Sequence, residues 1–414
     1  MIKLSTRRRC CEAVVSDPPN RPELYRRAFE RAVREHRTLR VHPERGREFL
    51  FVARELLTIP EDVERVRRKL AHSGIATERG RDFAGMSRLL LPRNPDDIPA
   101  VVRLLRDPRQ WPGERVPFVQ PHHGVVGHGG NMHGCPGRPP NVAAPLPDPA
   151  DGDEAKGRGV VVGVVDTGIA RGAATDHPKW LGGAFLPRPD EVDAAYAHDD
   201  VFALEGGHGT FVAGVVRQAA PGARLDPEKA LDPSGLGTEE DFAAALASFD
   251  EQVHVVNASL GCFTQDDVAS EPIRRALRQL PPSVVVVASA GNQGTNRPCW
   301  PAALPGVVGV AAVAREPDGA LSPACYSNSG HWVDACAVGN RTSTYLKGRW
   351  ELPGDPVVDV FDRWAYWLGT SFAAPHVAGR IAEAMTTHGL SAPAARDLLL
   401  SGPEFFPGYG PLVT

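Results

Sequence analysis

The sequence is poor in lysine, carries no excess of positive charge and has no long apolar run. Only six of its 46 basic residues are lysines, and the rest are arginines. Because the chain also holds 42 glycines and 39 prolines, we attribute the excess of arginine to genome composition and not to function. A formal net charge of −4 excludes a general nucleic-acid or anionic-membrane binder. No stretch approaches the roughly 20 apolar residues of a membrane span. The sequence therefore predicts neither a nucleic-acid nor a membrane partner.

Paired cysteines and a leader segment are also missing. The seven cysteines are an odd number without a C-x-x-C pair, which favours a reduced chain and leaves one or two disulfides open. The residues after the basic cluster Arg7, Arg8 and Arg9 are too few and too polar for the apolar core of a signal peptide. These features predict a cytoplasmic protein, with export by a route that needs no signal peptide as the alternative.

What the chain does have is enough apolar sequence for a large core. Its 414 residues, 42% hydrophobic and 23% charged, suggest two or three domains. Residues 126–156 are rich in proline, glycine and histidine and predict an extended linker. A metal site in its histidine-containing part is less favoured than a flexible segment open to cleavage, because the glycines provide no rigid ligand geometry.

The region before the linker alternates short strands and helices. Residues 49–58, 76–81, 87–91 and 116–120 read as strands, and residues 60–72 and 96–106 as helices. The order β-α-β-β-α-β predicts a small α+β domain over residues 48–125, with an antiparallel sheet and two helices on one face. Residues 1–47 stay unassigned apart from an arginine-rich helix near 22–36.

The region after the linker, residues 157–414, follows a different pattern. Its strands at 160–165, 253–256, 284–288 and 307–313 are apolar runs, interrupted in the second by His254, and are typical of parallel strands that are buried on both faces. Helical segments lie between them. The fold class predicted for this region is α/β, with a doubly wound, mostly parallel sheet whose functional groups lie at the strand ends.

Three short motifs stand where that architecture places a site. Asp166 ends a buried strand in Gly-Val-Val-Asp-Thr-Gly, His208 begins a small-residue helix in Gly-His-Gly-Thr, and Ser371 begins another in Gly-Thr-Ser. Taken singly, each motif could have a purely structural role, as a turn, a loop or an N-cap. Together they supply what acyl transfer needs: a hydroxyl nucleophile, an imidazole that takes its proton, and a carboxylate behind the imidazole.

In their order, Asp before His before Ser, these motifs resemble those of the subtilisin-like serine proteases, the subtilases. The resemblance covers about residues 157–414. It implies a subtilisin-like fold and a catalytic triad of Asp166, His208 and Ser371. It also implies that Asn292, in Ser-Ala-Gly-Asn, donates to the oxyanion beside the backbone N–H of Ser371.

The same resemblance implies where a polypeptide substrate binds. Ser259, Leu260 and Gly261 resemble one wall of the cleft, and residues 220–231 with Gly235 and Leu236 resemble the opposite strand and loop. An extended peptide would be sandwiched between them. Asp226 and Glu228 are unusual in that strand, and we expect them to favour basic side chains in the peptide.

Two more departures concern packing and cysteine. Phe211 stands where the family often has histidine, which we expect to alter packing and not the proton relay. Cys299 aligns with the floor of the pocket for the residue before the scissile bond, and Cys262 follows the wall strand. Packed neutral thiols are the favoured interpretation, and a redox-sensitive pocket is the alternative.

The α+β region resembles the inhibitory propeptide of subtilases in its element order. That likeness implies an intramolecular inhibitor and folding chaperone whose tail, residues 117–124, passes through the active site. The chemistry requires no cofactor and no metal ion, and structural calcium is left unassigned. We therefore expect a serine endopeptidase restrained by its own N-terminal domain. The alternative is a regulated peptide-maturation or partner-binding module that stays uncut.

Overall fold

The structure of the protein is a computed structural model that describes residues 21–93, 98–127, 139–150, 152–186, 191–249 and 252–414. The N-terminal region, here called the module, spans residues 21–127. Its elements are α1 (Arg21–Glu35), β1 (Leu39–His42), β2 (Phe49–Thr58), α2 (Val63–His72), β3 (Glu78–Arg79), β4 (Ser87–Leu90), α3 (Ile98–Arg106) and β5 (Val119–Val126).

The module is an antiparallel sheet with an apolar core of its own. The sheet runs β5-β2-β4-β3, with β1 paired to the other part of β2. Side chains of α2 and α3, including Val66 and Val102, pack on Leu56 and Leu89 of the sheet. The predicted strand at 116–120 is in fact β5, which begins later and runs on to Val126, and β1 adds a strand that the sequence pattern did not reveal.

The remainder, here called the catalytic body, spans residues 139–414. In its first half, the elements are β6 (Asn141–Val142), β7 (Val161–Asp166), β8 (Ile169–Ala170), α4 (Ala173–Asp176), β9 (Val192–Asp193), β10 (Tyr196–His198), β11 (Val201–Phe202), α5 (His208–Ala219), β12 (Arg224–Lys229), β13 (Leu236–Thr238), α6 (Glu239–Ser248) and β14 (Val255–Ala258). The second half contains α7 (Glu271–Leu277), β15 (Val285–Ser289), β16 (Val307–Arg315), β17 (Leu321–Pro323), β18 (Ala335–Val338), β19 (Asn340–Trp350), β20 (Asp359–Leu368), α8 (Thr370–His388), α9 (Ala392–Leu400), β21 (Phe405–Phe406) and β22 (Gly410–Pro411).

The main sheet is mostly parallel, which confirms the predicted fold class. Its order is β12-β7-β14-β15-β16-β17 with β18 also paired to β16, and β17 is the antiparallel member. Helices cover both faces. Val162 and Val164 of β7 belong to the apolar cluster that contains α5 and α8, whereas Val161 and Val165 belong to the cluster of α6 and α7. Burial on both faces explains why these strands read as unbroken apolar runs.

The strand order places one site at the end of β7. The chain passes from β7 to β12 on one side and then to β14 on the other, so the order reverses at β7. Crevices that bind ligands form at such reversals, beyond the carboxyl ends of the strands. Asp166 is the last residue of β7.

Part of the predicted linker is ordered against the catalytic body. Pro139 and Pro140 are buried, and β6 pairs with β20 in a second sheet of order β10-β11-β19-β20-β6. Most of the histidine-containing part of that linker, residues 128–138, lies outside the described residues. Among the described residues, no helix is long and apolar enough to cross a membrane.

Candidate active site

The three predicted triad residues come from three elements that meet beyond the carboxyl ends of the main-sheet strands. Asp166 ends β7, His208 is the first residue of α5, and Ser371 is the second residue of α8. Gly207 precedes His208 with φ of +84°, a conformation that glycine adopts without the strain of a side chain. This backbone turn sets the start of α5 beside the end of β7.

Asp166 and His208 are bonded to each other inside the protein. Asp166 Oδ1 lies 2.7 Å from His208 Nδ1 and also accepts the backbone N–H of Thr167 at 2.8 Å. Both side chains are fully buried. Burial alone would lower the pKa of His208, but the charge and the hydrogen bond of Asp166 outweigh it and raise that pKa. The carboxylate therefore orients the imidazole and stabilises its protonated form.

Aromatic rings hold the imidazole in place. The His208 ring lies 5.4 Å from the Trp367 ring and 5.3 Å from the Phe372 ring, measured between centroids. Phe211, the residue that departs from the family pattern, is fully buried and contacts the same two rings at 5.8 and 4.5 Å. As expected, Phe211 acts in packing, one helical turn away from the proton-carrying group.

Ser371 is fixed to the wall of the cleft through its neighbours. Its hydroxyl lies 3.5 Å from the carbonyl oxygen of Ser259, and the Ser259 hydroxyl donates to the carbonyl oxygen of Ser371 at 2.8 Å. Asn257 donates its side-chain amide to that same hydroxyl at 2.9 Å. Since Ser371 stands in the first turn of α8, backbone N–H groups there lack helical acceptors and are available to an anion.

The orientation of Asn292 is determined by Thr370. The backbone N–H and the hydroxyl of Thr370 both lie 2.9 Å from Asn292 Oδ1, and Thr370 in turn accepts the N–H of Gly291 at 3.0 Å. With its oxygen held by two donors, Asn292 has its NH2 group left for donation. The residue before the predicted nucleophile thus aims the predicted oxyanion donor.

A strand of the module occupies the cleft. Val126 exchanges two backbone hydrogen bonds with Gly261, at 2.8 and 2.9 Å, and pairs with Leu236 on the other side. Gly127 then donates to the carbonyl oxygen of Gly235 at 2.9 Å. The chain's own segment therefore lies between the two walls that were predicted to bind substrate, with Leu260 buried beneath it.

The expectation that Asp226 and Glu228 face a peptide is wrong. The strand that pairs with the tail is β13, whereas β12, which carries both acids, is the edge strand of the main sheet and pairs in parallel with β7. Asp226 is 0% exposed and Glu228 is 2% exposed. An edge strand also accommodates Pro227, whose missing N–H would interrupt a central strand.

The two cysteines near the cleft are buried thiols. Cys299 lines a cavity of about 110 Å³ together with Gly261, Gln293, and Glu48 and Phe49 of the module. Burial raises the pKa of Cys299 to about 12 and raises that of Cys262 as well. A thiol that resists ionisation is a poor nucleophile toward oxidants, which favours the packed, neutral interpretation.

Sequence patterns did not reveal two buried acids beside the site. Asp193 accepts the Thr167 hydroxyl and the N–H of Gly207, and Glu205 accepts the hydroxyl of Tyr25 from α1 of the module. Both lie in stretches of short strands and loops between β8 and α5, where periodicity carries little information. Among the described residues, no group of three or more His, Cys, Asp or Glu side chains forms a metal site.

The chain is similar in sequence to known proteins. The family model of the subtilases matches residues 157–401, more than half of the chain. The chain is 34% identical over 232 residues to a thermophilic serine proteinase of Bacillus sp. (strain AK1), covering 53% of this chain and 51% of that protein. It is 30% identical over 278 residues to subtilisin DY of Bacillus licheniformis, covering 62% of this chain and 89% of that protein.

The fold has a solved counterpart. Fervidolysin from Fervidobacterium pennivorans, a keratinolytic enzyme related to subtilisin, superposes with a TM-score of 0.61 at 21% identity, over 88% of this chain and 60% of that one. At that identity the likeness concerns the fold alone. The chain spans about half the length of the Bacillus AK1 proteinase. The matched region contains the Asp166, His208 and Ser371 motifs on the elements described above, and the chain belongs to the subtilase family.

Proposed function

We propose that this chain is a serine endopeptidase that cleaves extended polypeptides with Asp166, His208 and Ser371. The observation that carries the proposal is the buried 2.7 Å bond between Asp166 and His208, at the edge of the sheet where α8 begins with Ser371. The His208 ring lies 5.3 Å from the ring of Phe372, the residue after Ser371. A carboxylate-bound imidazole with a serine at the start of an adjoining helix suits acyl transfer.

Each group has a defined part in that reaction. His208 takes the proton of the Ser371 hydroxyl as its oxygen attacks the peptide carbonyl carbon, and then gives the proton to the leaving amine. Water repeats the sequence on the acyl-enzyme and releases the acid, which restores the serine. Asn292 and the Ser371 N–H stabilise the oxyanion of both tetrahedral intermediates. Asp166 orients the imidazole and stabilises its protonated form.

We also infer that the module is an intramolecular inhibitor. Support comes from β5, which belongs to the module sheet through Val119 and His123 and occupies the cleft through Val126. A substrate needs the same backbone partners, Gly235 and Gly261, so it cannot bind while β5 is in place. Slow folding of a sheet rich in non-local contacts is a physical reason for an attached folding template.

Replacing the nucleophile tests the activity. We expect Ser371→Ala to abolish both peptidase activity and labelling by a fluorophosphonate probe, because no other hydroxyl is activated by His208 in this proposal. Ser391→Ala is the matched control, since Ser391 caps α9 away from the cleft and its loss should leave labelling intact. Labelling that persisted in Ser371→Ala would show that the nucleophile is a different residue.

Intact mass of the purified chain tests self-processing. The tail occupies the cleft through Gly127, and the chain lies on the catalytic body from Pro139 onward. Cleavage between those two residues, in wild type and not in Ser371→Ala, is the expected result. An uncut chain that still reacts with the probe would instead favour the alternative, a regulated module that acts on a single partner. The occupied cleft is also compatible with that alternative.

A further inference from the structure

A buried carboxyl group outside the predicted triad bonds to both sides of it. Asp193 is 5% exposed and ends β9, a two-residue strand whose partner β8 follows the turn after Asp166. Its Oδ2 atom accepts the hydroxyl of Thr167 at 2.9 Å and the backbone N–H of Gly207 at 2.8 Å. One carboxylate oxygen thus holds a residue from the β7 end and a residue from the α5 start.

Those two partners are the chain neighbours of the bonded pair. Thr167 follows Asp166 and donates its N–H to the oxygen that bonds His208, and Gly207 immediately precedes His208. The Thr167 hydroxyl also accepts the N–H of Gly209 at 3.1 Å. The carboxyl group of Asp193 therefore bridges the two backbone segments that carry Asp166 and His208.

Packing leaves little freedom around this bridge. A Cβ atom added to Gly209 would lie 2.1 Å from the carbonyl oxygen of Gly168 and 3.3 Å from Asp166 Oδ1. With the segments in such close contact, loss of a shared acceptor would have to be absorbed by a shift of one segment against the other. Displacements of about 1 Å at a catalytic pair cost on the order of 100-fold in rate.

We propose that Asp193 is a positioning residue that sets the geometry of the Asp166–His208 pair by holding Thr167 and Gly207 on one carboxylate oxygen. This inference rests on the proposed function, and it adds to the triad a fourth side chain that touches no reacting atom. Its second oxygen, Oδ1, is buried and has no hydrogen-bond partner among the described residues.

The charge of Asp193 gives the bridge a second effect. Burial raises the pKa of Asp193 to about 7, and the nearby charge of Asp166 contributes in the same direction. An ionised Asp193 favours the imidazolium form of His208. Removing that charge must therefore lower the pKa of His208, whereas an amide keeps both accepted hydrogen bonds. Among the residues that the structure describes, the other titratable or charged groups that face Asp193 include Asp166, Lys229, Tyr196 and Tyr345.

Two substitutions separate position from charge. Asp193→Ala removes the bridge, and we expect kcat on an extended peptide substrate to fall about 10- to 100-fold with KM nearly unchanged. Asp193→Asn keeps an acceptor oxygen for Thr167 and Gly207, so kcat should return to within about threefold of wild type. Asp200→Asn is the matched control, because Asp200 is an exposed acid that pairs with Arg349.

The charge effect is measured by NMR on the full chain carrying Ser371→Ala, with the His208 signal identified by its loss in His208→Gln. We expect the pKa of His208 to fall in Asp193→Asn and to stay in Asp200→Asn. This readout does not depend on turnover, so it distinguishes failure of this inference from failure of the proposed peptidase activity. Wild-type kcat in Asp193→Ala, an Asp193→Asn variant as slow as Asp193→Ala, or an unmoved His208 pKa in Asp193→Asn would overturn the proposal; the Asn variant keeps the test valid if the Ala variant does not fold.

Discussion

The module and the catalytic body use buried polar groups for different purposes. In the catalytic body, buried polar side chains such as Asp166, His208 and Asn292 gather at one sheet edge and bond to one another or to Thr370. In the module, the core cluster is apolar, and the buried side chains of Gln120 and His123 of β5 bond to Glu239 of the catalytic body. We attribute the first set of polar groups to the proposed chemistry and the second set to the docking of the module.

The docking surface is centred on Glu239, the first residue of α6 in the catalytic body. This fully buried carboxylate accepts the backbone N–H of His123 at 2.8 Å and lies 3.0 Å from His123 Nδ1 and 3.2 Å from Gln120 Nε2. His123 Nε2 in turn accepts the N–H of Gln265 at 3.2 Å. An acid at a helix start also suits the helix dipole. We therefore expect substitutions at the proposed active site to change turnover, and substitutions at the docking surface to change the docking of the module.

The largest expected effect comes from removing the oxyanion donor. Asn292→Ala should lower kcat by about 10²–10³, the range found when one such donor is lost, with little change in KM. Docking of the module should be unaffected, since Asn292 bonds to Thr370 and not to β5. Steady-state kinetics and co-elution of the processed module with the catalytic body measure the two quantities. A similar loss in both would contradict the separation.

A substitution at the docking surface should have a smaller effect, and it should increase the reactivity of the full chain rather than lower it. Glu239→Gln removes the charge that receives His123 and Gln120, at a cost of about 1.5–3 kcal/mol for a hydrogen-bonded buried charge. Release of β5 should then speed fluorophosphonate labelling of the full chain by about 10- to 100-fold. Glu240→Gln is the matched control: its carboxylate pairs with Arg88 of the module but is 31% exposed, so labelling should change by less than about fivefold.

Acid should produce the smallest and most gradual release. Burial alone would raise the pKa values of Glu239 and Glu55, but the contacts with His123 and His122 outweigh it and lower both pKa values from 4.5. The contribution of Glu239 to docking, and that of Glu55 to the structure of the module itself, is therefore fully present above about pH 4.5 and is lost as the pH falls through the lowered values. Labelling of the full chain after brief exposure to stepped pH measures this, and Glu239→Gln should flatten the profile. Release that instead grew with rising pH would contradict the assignment to these carboxylates.

Some features could be predicted because local sequence determines them. The apolar runs of β7, β14 and β15 are typical of strands buried on both faces, and the order of Asp166, His208 and Ser371 carries the family resemblance. The helix predicted at 22–36 is present as α1, but its contacts with the catalytic body were not predicted. Arg21 pairs with Asp355 and Asp359, and Tyr25 donates to Glu205, contacts that join residues more than 150 positions apart.

Other features depended on how the elements meet. The family resemblance assigned both residues 220–231 and the pair Gly235 and Leu236 to the second wall of the cleft. In the structure, β12 belongs to the main sheet, and it is β13 that pairs with β5 in the cleft. Asp193 showed no pattern, because a two-residue strand between loops has no periodicity. Its role arises only when β8, β9 and the start of α5 come together.

By itself, the sequence determined the fold class, the order of the catalytic motifs and the alternation of the module's elements, because strand burial and helix starts are local consequences of side-chain pattern. The tail was predicted to pass through the active site with residues 117–124, but residues 119–123 pair with β2 and it is residues 124–127 that lie between Gly235 and Gly261. Only the tertiary structure decided this register, that Glu239 receives β5, and that Asp193 bridges Thr167 and Gly207. Those contacts join distant segments. The free energy of each depends on burial and on hydrogen-bond partners that exist only once the chain has folded.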